Sequence, residues 1–131
     1  MDVLVVDDSP IIRRVLQLVV QSFGNCEVVQ NGQQALDSVG LRLAEAKPYD
    51  IICLDLCLPD LGGLDVLREI RNLEAKCGEQ VRARIIIISA SDELETIRAT
   101  RQNGADAYLM KPIDKQQLVN AFTALGFRPG A

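Results

Sequence analysis

The sequence contains no histidine and no tryptophan. Without an imidazole, the chain has no histidine base, no histidine nucleophile and no phosphohistidine of its own. The four cysteines, Cys26, Cys53, Cys57 and Cys77, form no C-x-x-C pair, so a structural zinc site is not expected. Cys26 and Cys53 fall in apolar runs and read as core thiols, whereas Cys57 reads as a small loop side chain. Aromatic residues make up only 4%, which leaves the packing to aliphatic side chains. Basic residues are not in excess: 14 stand against 18 acidic ones. Arg82 and Arg84, with the helical pair Arg98 and Arg101, are too few for a polyanion-binding face, so no nucleic-acid partner is expected. No apolar run approaches a membrane span, so no membrane partner is expected either. Asp2 follows Met1 without a basic leader, which points to a cytoplasmic protein.

What is present suits one domain over residues 1–131, with 48% apolar residues to build its core. The most informative stretch is Ile51-Ile52-Cys53-Leu54-Asp55, followed by Leu56-Cys57-Leu58-Pro59-Asp60-Leu61-Gly62-Gly63. An apolar run bounded by turn signals reads as a strand buried on both faces. Asp55 then stands at its carboxyl end, where ligands bind in open parallel sheets.

The same pattern recurs along the chain. Val3-Leu4-Val5-Val6 is a buried strand ending in Asp7-Asp8. Ser9-Pro10 then caps and opens a helix whose stripe is Ile12, Val15, Leu16, Val19 and Phe23, closed by Gly24. Cys26-Glu27-Val28-Val29 carries a charge and reads as an edge strand. Asn31-Gly32 reads as a turn before a helix with Ala35, Leu36, Val39 and Leu43, which Pro48 stops. Leu64, Leu67, Ile70 and Leu73 mark a third helix, fading into the polar stretch after Ala75. Ile85 to Ile88 is the most apolar strand, ending at Ser89. Asp92 and Glu95 have the spacing of a capping box. The helix they would open offers only Leu94 and Ile97 as large apolar residues, so it is expected to be weakly anchored. Ala107-Tyr108-Leu109-Met110 is the last strand, meeting Lys111-Pro112, and Asp114 caps a final helix stopped by Gly126. Five strands alternating with five helices imply an α/β fold: a parallel sheet with helices on both faces and right-handed crossovers.

Such a sheet gathers its strand ends on one edge: Asp7, Asp8, Asp55, Ser89 and Lys111. Clustered carboxylates repel and need a counter-charge, which a hard divalent cation with oxygen ligands supplies. A metal, an ammonium and a hydroxyl around one carboxylate suit phosphoryl transfer to that carboxylate. Asp60 and Asp65 read as turn and helix-start residues, and Gly62 and Gly63 as backbone-geometry residues.

Val5-Val6-Asp7-Asp8, Asp55-Leu56-Cys57-Leu58-Pro59 with Gly62-Gly63, Ile88-Ser89-Ala90 and Tyr108-Leu109-Met110-Lys111-Pro112, in this order, resemble the receiver domain of two-component response regulators. The plan is that of the single-domain chemotaxis regulators, and the resemblance covers essentially the whole chain. It implies a flavodoxin-like sandwich with strand order 2-1-3-4-5. It implies that Asp55 accepts a phosphoryl group from a phosphohistidine on a sensor kinase or phosphotransfer protein. Asp8, Asp55 and the Cys57 backbone carbonyl would ligate Mg²⁺, or Mn²⁺ in its place, with Asp7 acting through a water. Lys111 would pair with Asp55 and then with the phosphoryl group, Ser89 would bind a phosphoryl oxygen, and Tyr108 would swing inward behind it. The Lys111-Pro112 bond would be cis. The first helix would dock the phosphodonor, and a downstream protein would read the face of the fourth helix, fifth strand and fifth helix. The interval from Asp55 to Ser89 is long for the family, with the excess expected in Lys76 to Arg82. Small residues at Cys57 and Ser91 stand where the family tunes phosphate lifetime.

Three competing readings remain. A receiver cut from a larger regulator or hybrid kinase shares all these features. A haloacid-dehalogenase-like phosphatase would need an Asp two residues after the nucleophile, where this chain has Cys57. A pseudo-receiver would lack site residues, and here the acids and the lysine are all present. The chain is therefore not expected to be an enzyme beyond the phosphorylation and dephosphorylation of its own aspartate.

Overall fold

A computed structural model describes residues 1–78 and 81–130. The elements alternate as expected: β1 (Asp2–Val6), α1 (Pro10–Val20), β2 (Asn25–Val29), α2 (Gly32–Ala44), β3 (Ile51–Asp55), α3 (Gly63–Ala75), β4 (Arg84–Ser89), α4 (Leu94–Gln102), β5 (Ala107–Met110) and α5 (Lys115–Ala124). All strand pairings are parallel, in the order β2-β1-β3-β4-β5. No helix among the described residues is long and apolar enough to cross a membrane.

Strand alternation sorts the core into two layers. Leu4, Val6, Ile52, Leu54, Ile85 and Ile87 face one way and pack with Ala35 and Val39 of α2 and Val66, Leu67 and Ile70 of α3. Val3, Val5, Ile51, Cys53, Ile86 and Ile88 face the other way, onto Leu16 and Val19 of α1 and Leu118 and Phe122 of α5. Each fully buried aliphatic side chain is worth about 2 kcal/mol, which favours the unbroken apolar runs Val3 to Val6, Ile51 to Leu54 and Ile85 to Ile88 at the buried positions of β1, β3 and β4. β2 and β5 are the sheet edges, and both are only half-buried or exposed.

Several local expectations hold. Ser9 Oγ accepts from Ile12 N and caps α1. Asp114 and Gln117 form a reciprocal capping box on α5. Gly104 and Gly126 take positive φ just past helix ends, the backbone that glycine adopts without strain. Cys53 is buried, while Cys26 is half-buried and Cys57 and Cys77 are exposed.

Others are corrected. Asn31 does not form a free turn: its side chain accepts from Gln34 N at 2.8 Å and caps α2. α2 ends at Ala44, ahead of Pro48, because Ala46 turns to a left-handed φ of 57°. Phe23 lies beyond α1, packed edge-on against Phe122. The capping box at Asp92 does not form; Glu93 occupies the cap position with no side-chain bond. α4 buries only Thr100, and Leu94 is 66% exposed, so its anchoring is as slight as its sequence implies. The expected insertion at Lys76 to Arg82 lies partly outside the described residues.

Candidate functional site

The site is built from strand ends. Asp7 follows β1, Asp55 is the last residue of β3, Ser89 the last of β4, and Lys111 follows β5. Parallel register brings them together: Asp55 pairs with Ile88, and Ser89 with Met110. Asp7 and Asp55 are 1% and 2% exposed, yet carboxylate oxygens of Asp7, Asp8 and Asp55 lie within 4.8 Å of one another. Asp8 is exposed and closes the cluster from the solvent side.

Each buried carboxylate is held by one backbone amide. Asp7 Oδ1 accepts from Ser9 N at 2.9 Å, and Asp55 Oδ1 from Cys57 N at 3.0 Å. Their second oxygens face Lys111, whose Nζ lies 3.2 Å from Asp55 Oδ2 and 3.5 Å from Asp7 Oδ2. The ammonium thus forms an ion pair with both carboxylates and lies nearer Asp55. Among the described residues Asp7 Oδ2 has no hydrogen-bond partner, although it is buried. An orphaned buried acceptor of this kind is costly and needs an explanation.

The electrostatics point the same way. Burial raises the Asp7 pKa; the Ser9 amide opposes this, the nearby Asp55 charge adds to it, and Lys111 opposes it. Burial alone would lower the Lys111 pKa, but Asp55 and Asp7 outweigh it and hold the ammonium above its ordinary value. Three carboxylates against one ammonium leave the pocket with an excess of negative charge. A divalent cation is the smallest addition that balances it. The donors are all oxygens, as a hard cation requires.

The other expected residues fall around this cluster. Ser89 Oγ accepts from Ser91 N at 3.1 Å, and Ser91 Oγ from Glu93 N at 3.2 Å. Tyr108 donates its hydroxyl to the Ser91 carbonyl at 2.8 Å, so the ring is already tied to the loop after β4. The Lys111–Pro112 bond is cis, as the resemblance implied. Gly63 is required by close approach: a Cβ there would lie 2.4 Å from Leu56 Cα and 2.6 Å from the Asp55 carbonyl. Two neighbours escaped the sequence reading. Arg13 reaches the Asp7 carbonyl at 3.3 Å, and Asp60 binds the start of α2. Neither leaves a local pattern, since each partner is set by the fold.

The sheet order defines a flavodoxin-like α/β protein, with an acidic cluster closed by a lysine at the carboxyl edge, where ligands bind in such sheets. The family model of the response regulator receiver domain matches residues 3–123, and the chain belongs to that family. It is 33% identical over 120 residues to the cell cycle transcriptional regulator CtrA of Caulobacter vibrioides, covering 91% of this chain and 47% of the relative. It is 35% identical over 126 residues to the sensory/regulatory protein RpfC of Xanthomonas campestris pv. campestris, covering 95% of this chain and 16% of the relative. Among solved structures, the receiver domain of the histidine kinase CKI1 from Arabidopsis thaliana, complexed with Mg²⁺ and BeF₃⁻, superposes with a TM-score of 0.84 at 33% identity, covering 95% of this chain and 88% of that one. The chain spans about half the length of CtrA and a smaller part of RpfC.

Proposed function

We propose that this receiver accepts a phosphoryl group onto Asp55 from a phosphohistidine of a sensor kinase or phosphotransfer protein, and that the acylphosphate switches its contacts with a downstream protein. The observation that carries this reading is the cluster itself: three carboxylates within 4.8 Å, an ammonium 3.2 Å from Asp55, and an Asp7 oxygen with no hydrogen-bond partner among the described residues. Asp8, Asp55 and the Cys57 carbonyl would hold Mg²⁺, with Asp7 acting through a water; Mn²⁺ suits the same oxygens. The bound ion would neutralise charge on the equatorial phosphoryl oxygens.

The chain's own groups do the rest. An Asp55 oxygen attacks phosphorus, forming the new O–P bond; the bond to the donor's nitrogen breaks, and the electron pair leaves with the imidazole. Lys111 follows the charge from the carboxylate to the phosphoryl oxygens. Ser89 exchanges its contact with Ser91 N for one with a phosphoryl oxygen, and Tyr108, bonded to the same loop, reports the change. The slightly buried α4 is the element such a change would move most easily. Beyond turnover of its own phosphoaspartate we propose no catalysis, and no membrane or nucleic-acid contact by this domain. The same receiver placed within a longer regulator or hybrid kinase is a second reading, favoured by the greater length of the relatives.

Incubation with a small acyl phosphate and Mg²⁺ should add one phosphoryl group by intact mass, and a chelator should abolish it. Equal uptake in chelator would remove the metal from the reading. Lys111→Ala should still bind Mg²⁺ but lose the conformational response, followed through the Tyr108 ring and the α4 amides by NMR. A full response without Lys111 would separate it from the switch.

A further inference from the structure

Asp60 sits in the turn after Pro59, where its residue type suggests no more than a bend. Its carboxylate instead forks onto another element. Oδ1 accepts from Gly32 N at 2.8 Å and Oδ2 from Gln33 N at 2.9 Å, the first two amides of α2. Oδ1 also accepts from Leu61 N at 2.8 Å within its own loop. Residual burial would raise the Asp60 pKa, but the amides of Gln33, Gly32 and Leu61 outweigh it and hold the group ionised. The start of α2 is pressed onto the same loop: a Cβ at Gly32 would lie 2.8 Å from Val66 Cγ2 and 2.9 Å from Leu61 Cβ.

The loop so gripped has little internal freedom. Cys57 faces Gly62 across an antiparallel bridge, and Gly63 N donates to the Leu56 carbonyl at 3.0 Å. The segment from Leu56 to Gly63 is thus closed on itself at both ends. It carries the Cys57 carbonyl, and its Cys57 amide orients Asp55 by the bond to Oδ1. Displacing the loop shifts a metal ligand and turns the phosphoacceptor together.

We infer that Asp60 is a positioning residue: by clasping the β3–α3 loop to the N-terminus of α2, it sets the Cys57 carbonyl and the Asp55 carboxylate for metal binding. This rests on the metal site argued under Proposed function. Groups that orient metal ligands from outside commonly contribute about tenfold or more to affinity. α2 supplies its own control, because Asn31 caps the same helix through Gln34 N, and among the described residues its side chain makes no hydrogen bond to the loop. Loss of either residue weakens α2; only loss of Asp60 frees the loop.

The test is Mg²⁺ titration calorimetry on the full chain, with amide hydrogen exchange at Cys57 and Gly63 in the same samples. Asp60→Ala should bind Mg²⁺ about tenfold more weakly than wild type and exchange faster at both amides. Asp60→Asn keeps one acceptor oxygen and should fall between; it also serves if Asp60→Ala does not fold. Asn31→Ala should lose thermal stability while keeping wild-type affinity and exchange. Wild-type affinity and exchange in both Asp60 variants, or equal losses in Asn31→Ala, would overturn the clasp. If wild type itself binds no Mg²⁺, the metal reading fails, and the exchange rates alone then decide whether Asp60 positions the loop.

Discussion

Asp55→Asn should take up no phosphoryl group under conditions that label the wild type fully. The exchange removes one oxygen and its charge and leaves the shape nearly intact. An amide nitrogen is no nucleophile toward phosphorus, and the remaining carbonyl oxygen lacks the charge that drives attack. The neighbours are poorly placed to replace it. Asp7 is buried, with one oxygen bound to Ser9 N and the other turned toward Lys111. Asp8 is exposed, and among the described residues Lys111 pairs with Asp7 and Asp55 instead. The fold should survive, because two effects oppose: Lys111 loses its nearer partner, while Asp7 loses a like charge beside it. Intact mass gives the phosphoryl count, and a urea melt checks that the variant is folded. Label equal to wild type in a folded Asp55→Asn would remove Asp55 from its role. Reduced but real label would place a second acceptor, with Asp8 the first to examine.

The residues that made this site readable are those whose meaning is local. Val3 to Val6, Ile51 to Leu54 and Ile85 to Ile88 are short apolar runs whose length and flanking turn signals read as buried strands, and each is followed by a polar residue. Parallel strands then bring those ends to one edge, so Asp7, Asp55, Ser89 and Lys111 could be grouped before any distance was known. Ambiguity entered where one residue type serves two local purposes. Asn31-Gly32 fits a turn and equally a cap followed by a helix start, and the fold takes the second. Asp92 and Glu95 have capping-box spacing, but Ser91 Oγ accepts from Glu93 N, and the chain enters α4 without a side-chain cap. Least legible were residues whose partners lie far along the chain. Asp60 meets α2, and Arg71 meets the start of β5, through contacts that no spacing rule predicts.

Arg71→Ala should be the most damaging of the surface-proximal substitutions, costing about 3–5 kcal/mol, the loss expected when one partner of a buried ion cluster is removed. Arg71 is the hub of the sheet edge opposite the acidic pocket. Its Nη1 donates to Glu74 Oε1 at 2.5 Å and to the Ala83 carbonyl at 2.8 Å. Its Nη2 donates to the Gly104 carbonyl at 2.7 Å and to Asp106 Oδ2 at 3.0 Å, and Nε also reaches Gly104 O. One side chain thus joins α3, the entry to β4 and the turn before β5. Without it, among the described residues, Glu74 keeps the Ala83 amide, and Asp106 keeps Arg82, Arg84 and the Ile85 amide. The effect should depend on pH in a defined direction. Burial would raise the Asp106 pKa, but the Ile85 amide and the guanidinium groups of Arg82 and Arg71 outweigh it and hold it below its ordinary value. A carboxylate with a depressed folded pKa adds stability above its unfolded pKa, about 3.9, and loses it as pH falls through the folded value. The Arg71→Ala deficit should therefore be full at neutral pH and shrink at about pH 4 and below, as Asp106 takes up a proton and its contact with Arg71 no longer counts in the wild type. Arg71→Lys keeps the charge but not the planar fork, and should recover only part of the loss. Urea melts of the three proteins at both pH values measure this directly. A deficit under about 1 kcal/mol at neutral pH, the range of an exposed pair, would show that the cluster contributes little to the fold.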